Sequence, residues 1–400
     1  MRIALSAVSV CALSLGAAQA AEPIELDVEG QITVVAGVSE NTPRIDADGD
    51  ITFRASTAFE NGVEVGAVVE GRFDREQPGR LFAGGRYTSL LAGGPRGVGP
   101  LNSDAFVQGA YAYARGGFGE VIVGRDHGVG RTFAVTAPTV FRAISVNDWR
   151  TDFSGLNDVH TVNDFSGYST KLTYLPPANF LGGVVGGLQL GVSYAPRLGD
   201  CDERLCAPEG GFLVAPDGSV VTQSFNYRNV VEAAAYYQTP LSSDVLLGIG
   251  ASYVTADEDD QSATSVLDDY EAFSLGLNLA YRGVTVGGSV KTTNAGVIST
   301  DDEDGYLAFD AGITFQSGEE KGDWAMSFVY GQSQASVFGP NLLDPSLFRD
   351  TQTAQAGFTY FVSPGITIGA AAQFINSDAP AAAGGPEEAT TVVIESSIQF

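Results

Sequence analysis

Basic residues in this sequence stand singly, one position out of phase with rows of apolar residues, and that placement decides the chemistry open to them. Arg54 opposes the row Ile51, Phe53 and Ala55, and Arg72 opposes Val65, Ala67 and Val69. Lys171 lies between Thr170 and Leu172, and Lys291 opposes Val284, Val286 and Val290. Side chains alternate between the two faces of a strand, so these cations leave the sheet on the side away from the apolar rows. Arg125 follows Val121-Ile122-Val123, three apolar residues in succession, and its parity stays open. Spaced cations on a polar strand face steer ions; they do not build a nucleophile. Hydrolysis needs a nucleophile, a base and an orienting group. His127 and His160 are the sole histidines, and no nucleophile elbow or zinc spacing accompanies them. The reading is therefore not an enzyme.

Acidic residues outnumber basic ones by 48 to 21, for a net charge of −27. Nucleic acid, whose phosphates require a basic face, is excluded as a partner. Three acidic runs are expected in long loops: Asp46-Ala47-Asp48-Gly49-Asp50, Asp257 to Asp260, and Asp301-Asp302-Glu303-Asp304. Hard cations take several oxygen ligands, so Asp46, Asp48, Asp50, Asp301 and Asp302 are candidates for loose Ca²⁺ or Mg²⁺ binding, with a solvated loop as the alternative. DADGD resembles the start of an EF-hand loop, but the acid required twelve positions in is Thr57. Cys201 and Cys206 enclose a polar stretch, CDERLC, and a loop disulfide is expected of an exported chain. A metal site at C-x4-C is the weaker reading, since neither histidine is near. No cofactor is required by any motif.

The elements that must position these residues are strands. About sixteen segments alternate with period two and have the length a tilted membrane strand needs. They span 25–38, 50–60, 63–74, 104–115, 119–126, 164–175, 187–195, 230–238, 244–255, 269–282, 284–293, 305–316, 323–334, 352–362, 365–375 and 390–400. In 305–316, Leu307, Phe309, Ala311, Ile313 and Phe315 oppose Ala308, Asp310, Gly312, Thr314 and Gln316. The second face is rich in Gly, Ser, Thr, Asn and Gln, which suits a wet lumen. Short connections such as Asn61-Gly62 and Gly283 alternate with long ones such as 75–103, 127–163 and 196–229. Tyr and Phe collect near strand ends, as at a membrane interface.

Lipid offers no partner to a free backbone N–H or C=O, so spanning strands must close into a barrel. The fold class expected is all-β, a transmembrane antiparallel barrel of about sixteen strands, wide enough for an aqueous channel. Arg2, an apolar run from Ile3 to Ala18, and Ala18-Gln19-Ala20 predict a signal peptide over 1–20, cleaved after Ala20. Residues 21–400 then form one domain. The last strand ends Val392, Ile394, Ile398, Phe400 on one face, with Glu395, Ser397 and Gln399 between them.

With these features in view, the chain resembles the general diffusion porins of Gram-negative outer membranes, most of all the alphaproteobacterial kind. The resemblance rests on GDITFRASTAFENG (49–62), AYAYARGGFGEVIVGRDHG (110–128), FSGYSTKLTYLPP (165–177) and the terminal SSIQF. It implies that the loop after the fifth strand, 127–163, folds into the barrel and narrows it. It also implies a basic wall facing an acidic inserted loop. The wall candidates are Arg54, Arg72, Arg125, Lys171 and Lys291. The acidic candidates are Asp148 and Asp152, then Asp158, with Asp164 at the loop's end. A homotrimer embedded among outer-membrane lipid and lipopolysaccharide is implied as well. The function expected is passive diffusion of small hydrophilic solutes and ions, with mild cation preference from the acidic vestibules. The alternative is a solute-specific channel with a saturable site.

Overall fold

The computed structural model describes residues 22–39, 42–74, 107–147, 153–154, 156–157, 159–178, 186–198, 212–214, 220–222, 227–259, 269–294, 305–337, 347–378 and 385–400. The strands are β1 (Glu25–Ser39), β2 (Thr42–Ala58), β3 (Glu64–Asp74), β4 (Val107–Gly116), β5 (Gly119–Arg125), β6 (Thr170–Leu175), β7 (Leu188–Arg197), β8 (Phe212–Val214), β9 (Val220–Thr222), β10 (Tyr227–Ser242), β11 (Val245–Glu258), β12 (Tyr270–Tyr281), β13 (Val284–Thr293), β14 (Tyr306–Gln316), β15 (Trp324–Val337), β16 (Leu347–Ser363), β17 (Ile366–Asp378) and β18 (Glu387–Gln399). Within the described residues, sixteen of them pair neighbour to neighbour, all antiparallel, into one closed barrel, while β8 and β9 form a separate small hairpin. One helical turn, α1 (Val129–Thr132), follows β5.

Closure joins the ends of the chain. β18 pairs with β1 from Gln31↔Gln399 to Ser39↔Thr391. One step further, the Phe400 N–H donates to the Gly30 carbonyl at 3.0 Å and the Gly30 N–H to the Phe400 carbonyl at 2.9 Å. The Phe400 ring lies over Gly30, where an added Cβ would stand 2.5 Å from a ring carbon. The terminal aromatic thus covers the seam from the outside, and a bare glycine lets it do so.

The molecule is apolar outside and polar inside. Leu275, Leu277, Leu279, Ile313, Met326 and Phe328 are all exposed on the outer face. Ser252, Ser274, Ser289, Thr353, Gln355 and Gln373 are buried on the inner one. An apolar surface of this extent is tolerable only against lipid. Phe315, Trp324 and Phe358 form a cluster on the turn side, with ring centroids 5.1 and 6.1 Å apart. The Tyr174 hydroxyl donates to the Phe118 carbonyl at 2.9 Å at the same end. The β12–β13 turn is made by Arg282 and Gly283, both at positive φ (46° and 82°), the two-residue turn that matches strand twist.

Every strand expected from alternation has a counterpart. The largest boundary difference is at β2, which begins at Thr42 rather than at 50 and is joined to β1 through residues 40–41 alone. DADGD is therefore not a loop. Asp46, Asp48 and Asp50 occupy strand positions paired with Val35, Thr33 and Gln31. Turn-like composition misleads here because one face of the strand is wet. Asp257 and Glu258 likewise end β11. In the other direction, β6 starts at Thr170, and 164–169 belong to the inserted segment described next. Residues 1–20, Cys201, Cys206, Asp301 and Asp302 lie outside the described residues.

Candidate functional site

Between Asp126 and Ser169 the described residues turn into the lumen and follow the inner wall. Val129 and Phe133 pack on Ala234 of β10. Val146 and Val159 pack on Val329 of β15, and Leu156 on Ile375 and Ala389. Phe141, Ile144 and Phe153 meet Val35, Ala371 and Val393 of β1, β17 and β18. These contacts are small apolar cores inside a wet barrel, each worth the area it removes from water. On the return, Phe165 stacks on Tyr270 at 3.7 Å.

An irregular segment has no sheet partners for its N–H groups, and buried ones must be satisfied. Three inward carboxylates do this. Glu395 of β18 accepts from the N–H groups of Arg142 (2.9 Å), Ala143 (2.8 Å) and Ile144 (3.1 Å). Asp310 of β14 accepts from the Ala137 N–H at 3.1 Å, the Thr161 hydroxyl at 3.2 Å, and both the N–H and hydroxyl of Ser289 at 2.6 and 2.7 Å. The Asn147 side-chain amide donates to it as well. Glu232 of β10 accepts from the N–H groups of Gly130 at 3.1 Å and Ser166 at 3.3 Å. All three residues are at most 3% exposed, so each depends on these donors. Sequence reading passed over them. The signal was an acid at an inward position with small or neutral nearest neighbours on its strand face.

The wall is also shaped for the segment. Gly276 of β12 and its register partner Gly250 of β11 lie directly beneath the carbonyls of Val135 and Phe133, where any Cβ would collide. Gly357 lies beneath the Phe141 ring in the same way.

What remains open is a cavity of about 560 Å³ between the segment and the β1–β4 wall. On the wall side it is lined by Gln31, Asp50, Thr52, Glu70 and Gln108. On the segment side it is lined by His127, Arg131, Arg142, Ser145, Asn147 and His160. Among the described residues, the carboxylates of this lining are Asp50 and Glu70 on the wall side and the guanidinium groups are Arg131 and Arg142 on the segment side. The Arg142 side is exposed, and Arg131 is 38% exposed with its guanidinium 2.5 Å from Asp164. The acids that balance them, Asp164 and Glu395, are 1% exposed behind the segment.

The individual expectations divide accordingly. Asp164 does not face the pore; it is buried between Arg131 and His127, at 2.5 and 3.3 Å. Lys171 is buried, its ammonium donating to the Ser166 hydroxyl at 2.7 Å and the Gly167 carbonyl at 2.5 Å. Lys291 is buried too, donating to the Val162 carbonyl at 2.8 Å. Both lysines fasten the returning arm rather than line the eyelet. Arg125 shares its cross-strand row with Ala110 and Thr170, one step along from outward-facing Val123 and Leu172. It belongs to the outer face, and its Nε donates to the Tyr168 carbonyl at 3.2 Å. Arg54 keeps the inward row, between Asp27 and Val68, outside the lining of this cavity. The side chains of Arg72, Asp46 and Asp48, and all of Asp148, Asp152 and Asp158, lie outside the described residues. Among the described residues no three His, Cys, Asp or Glu side chains gather as a metal site.

Asp126, the first residue beyond β5, adds a titratable acid beside this cavity. Burial, followed by the nearby Glu70 charge, pushes its carboxyl up to about 6. Lowering the pH from 7 to 5 therefore adds a proton and removes one negative charge from the acidic side. The expected result is a smaller K⁺-over-Cl⁻ permeability ratio at pH 5 than at pH 7, read from reversal potentials. Asp126→Asn should reduce that step.

A family model described as Gram-negative porin matches residues 4–380. No curated protein sequence matches the chain. Among solved structures, OmpF of Salmonella typhi in complex with daunomycin is 14% identical, with a TM-score of 0.56 over 94% of this chain and 97% of that one. The anion-selective porin from Comamonas acidovorans is 13% identical, with a TM-score of 0.51 over 94% of this chain and 100% of its own. The trimer form of in-vitro folded OmpT, an outer membrane protein of Vibrio cholerae, is 11% identical, with a TM-score of 0.54 over 95% and 100%. Identities this low establish a shared fold.

Proposed function

Since the chain belongs to the Gram-negative porin family and is an integral outer-membrane β-barrel channel, we propose that it lets small hydrophilic solutes and ions diffuse passively through the opening between its inserted segment and the β1–β4 wall. The observation that carries this reading is the polar cavity itself, left open beside a segment fixed to the opposite wall by Glu232, Asp310 and Glu395. Selectivity at such a constriction follows diameter and lining charge. The net charge of −27 favours cations in the vestibules, and the exposed arginines of the segment oppose this beside the cavity, so the preference for cations is mild. The chemistry is transport without covalent change. The apolar outer band seats the barrel in lipid beneath a lipopolysaccharide leaflet. A homotrimer is supported by the trimer form of the structurally similar OmpT.

The test is single-channel recording of refolded protein in a planar bilayer under a salt gradient. Ohmic steps, grouped in threes, with a reversal potential slightly on the cation side are expected. Folded, heat-modifiable protein without conductance would sink this reading.

A further inference from the structure

We propose that the short-turn end of β1 is a docking edge for an extended periplasmic polypeptide segment that alternates apolar and basic residues. β18 accompanies β1 as far as Gly30, which exchanges both of its backbone hydrogen bonds with Phe400 at 2.9 and 3.0 Å. Past Gly30, β1 continues through Glu29 to Glu25, and there β2 is its only ladder partner among the described residues. The register with β2 runs from Glu25↔Ser56 to Ser39↔Thr42 without a shift, so the alternation of backbone directions holds throughout. Leu26 and Val28 therefore aim their N–H and C=O groups to the same side as Gly30, in line with β18. Such an edge is a template for one more strand. Main-chain bonds give the added strand its affinity, and the two faces give it selectivity. Here the faces differ in kind. Leu26 and Val28 are 79% and 48% exposed, on the outward face that Ile32 and Val34 continue. Glu25, Asp27 and Glu29 are exposed on the opposite face, and their register partners on β2 are Ser56, Arg54 and Thr52. Three acids against one arginine make that face net acidic. Apolar and basic residues in alternation suit both faces at once. Short turns lie on the periplasmic side of outer-membrane barrels, so the partner is periplasmic. A second copy in the same membrane does not fit, because its β1 rises in the same direction and cannot continue the antiparallel ladder of β18.

The probe is an acetylated, amidated hexapeptide of alternating lysine and valine, labelled for anisotropy and titrated onto the refolded protein in neutral detergent. An analogue with glutamine for lysine keeps the strand and removes the charge. A third form, N-methylated at the valines that would stand opposite Leu26 and Val28, keeps the charge and removes the donors. Each screened charge contact is worth about a factor of two, so the lysine form is expected to bind at about one-eighth the concentration of the glutamine form. Asp27→Asn combined with Glu29→Gln should cut that advantage to about twofold. Leu26→Pro removes one N–H from the edge, where a strand tolerates proline, and should weaken the lysine form about fivefold. Heat-modifiable mobility confirms that each variant is folded. The amides of Leu26 and Val28 should exchange quickly with solvent in the protein alone and slowly once the peptide is bound. Equal binding of the N-methylated form, or no loss in Leu26→Pro, puts the peptide in the acidic lumen and overturns the proposal. Slow exchange of both amides in the protein alone shows the edge to be filled by the protein's own chain and overturns it as well. Absence of binding by the lysine form does the same.

Discussion

Glu395→Ala is expected to free the inserted segment at its middle while leaving the barrel closed. The carboxylate holds three consecutive N–H groups, those of Arg142, Ala143 and Ile144, at 2.9, 2.8 and 3.1 Å. Hydrogen bonds to a charged group contribute about 1.5–3 kcal/mol each, and a buried donor left without a partner costs about 1–3 kcal/mol. Water entering the gap recovers part of this, so docking should weaken by about 3–6 kcal/mol. That exceeds what Phe141 and Ile144 can retain once their backbone lifts. The strand ladders on either side of Glu395 are backbone bonds and survive the change. The variant should therefore keep its heat-modifiable mobility. Its current should become noisy, with open levels above those of the parent, and trypsin should cleave at Arg142. A quiet channel of parental conductance would show that the apolar clusters hold the segment without the carboxylate.

The barrel was legible because its rules are local. Alternation in 269–282 or 323–334 is visible within a dozen residues, and an apolar row must face lipid wherever it occurs. The strand number and the closure through Phe400 could be read in this way, whereas the inward turn after the fifth strand is implied by the resemblance to diffusion porins. The eyelet could not, because its charges are placed by partners remote in sequence. Lys291 meets the carbonyl of Val162, and backbone carbonyls leave no trace in a sequence. Arg125 could not be assigned a face because Val121, Ile122 and Val123 offer no alternation, and only its register with Ala110 and Thr170 decides. The run DADGD has loop-like composition, yet its residues hold ladder positions opposite β1. Charge type alone also misled. Asp164, Lys171 and Lys291 are charged residues of the lumen, but each is spent holding the segment.

Gly276→Val should act on the same segment in the opposite sense, pushing it off the wall and into the passage. The Val135 carbonyl occupies the place where a Cβ would stand, and the Phe133 carbonyl does the same over Gly250, its register partner. Backbone carbonyls cannot rotate away as a flexible side chain can, so the segment itself must move. Overfilling a packed contact costs about 1–3 kcal/mol, less than the carboxylate clamps supply together. The segment should therefore stay docked at Asp310 and Glu395 and bow inward between its fixed points. Single-channel conductance should fall, without the noise expected of Glu395→Ala. Gly248→Val is the matched comparison, since it lies on the same face of β11. A Cβ there meets only the Tyr236 hydroxyl at 3.6 Å and the Asn278 carbonyl at 4.0 Å, both ordinary contacts. Its current should stay near the parental level. If both variants conduct alike, the segment does not rest on the glycine ledge. If Gly276→Val alone narrows the channel, the missing side chains at positions 250 and 276 set the width of the pore as much as the charged groups that line it.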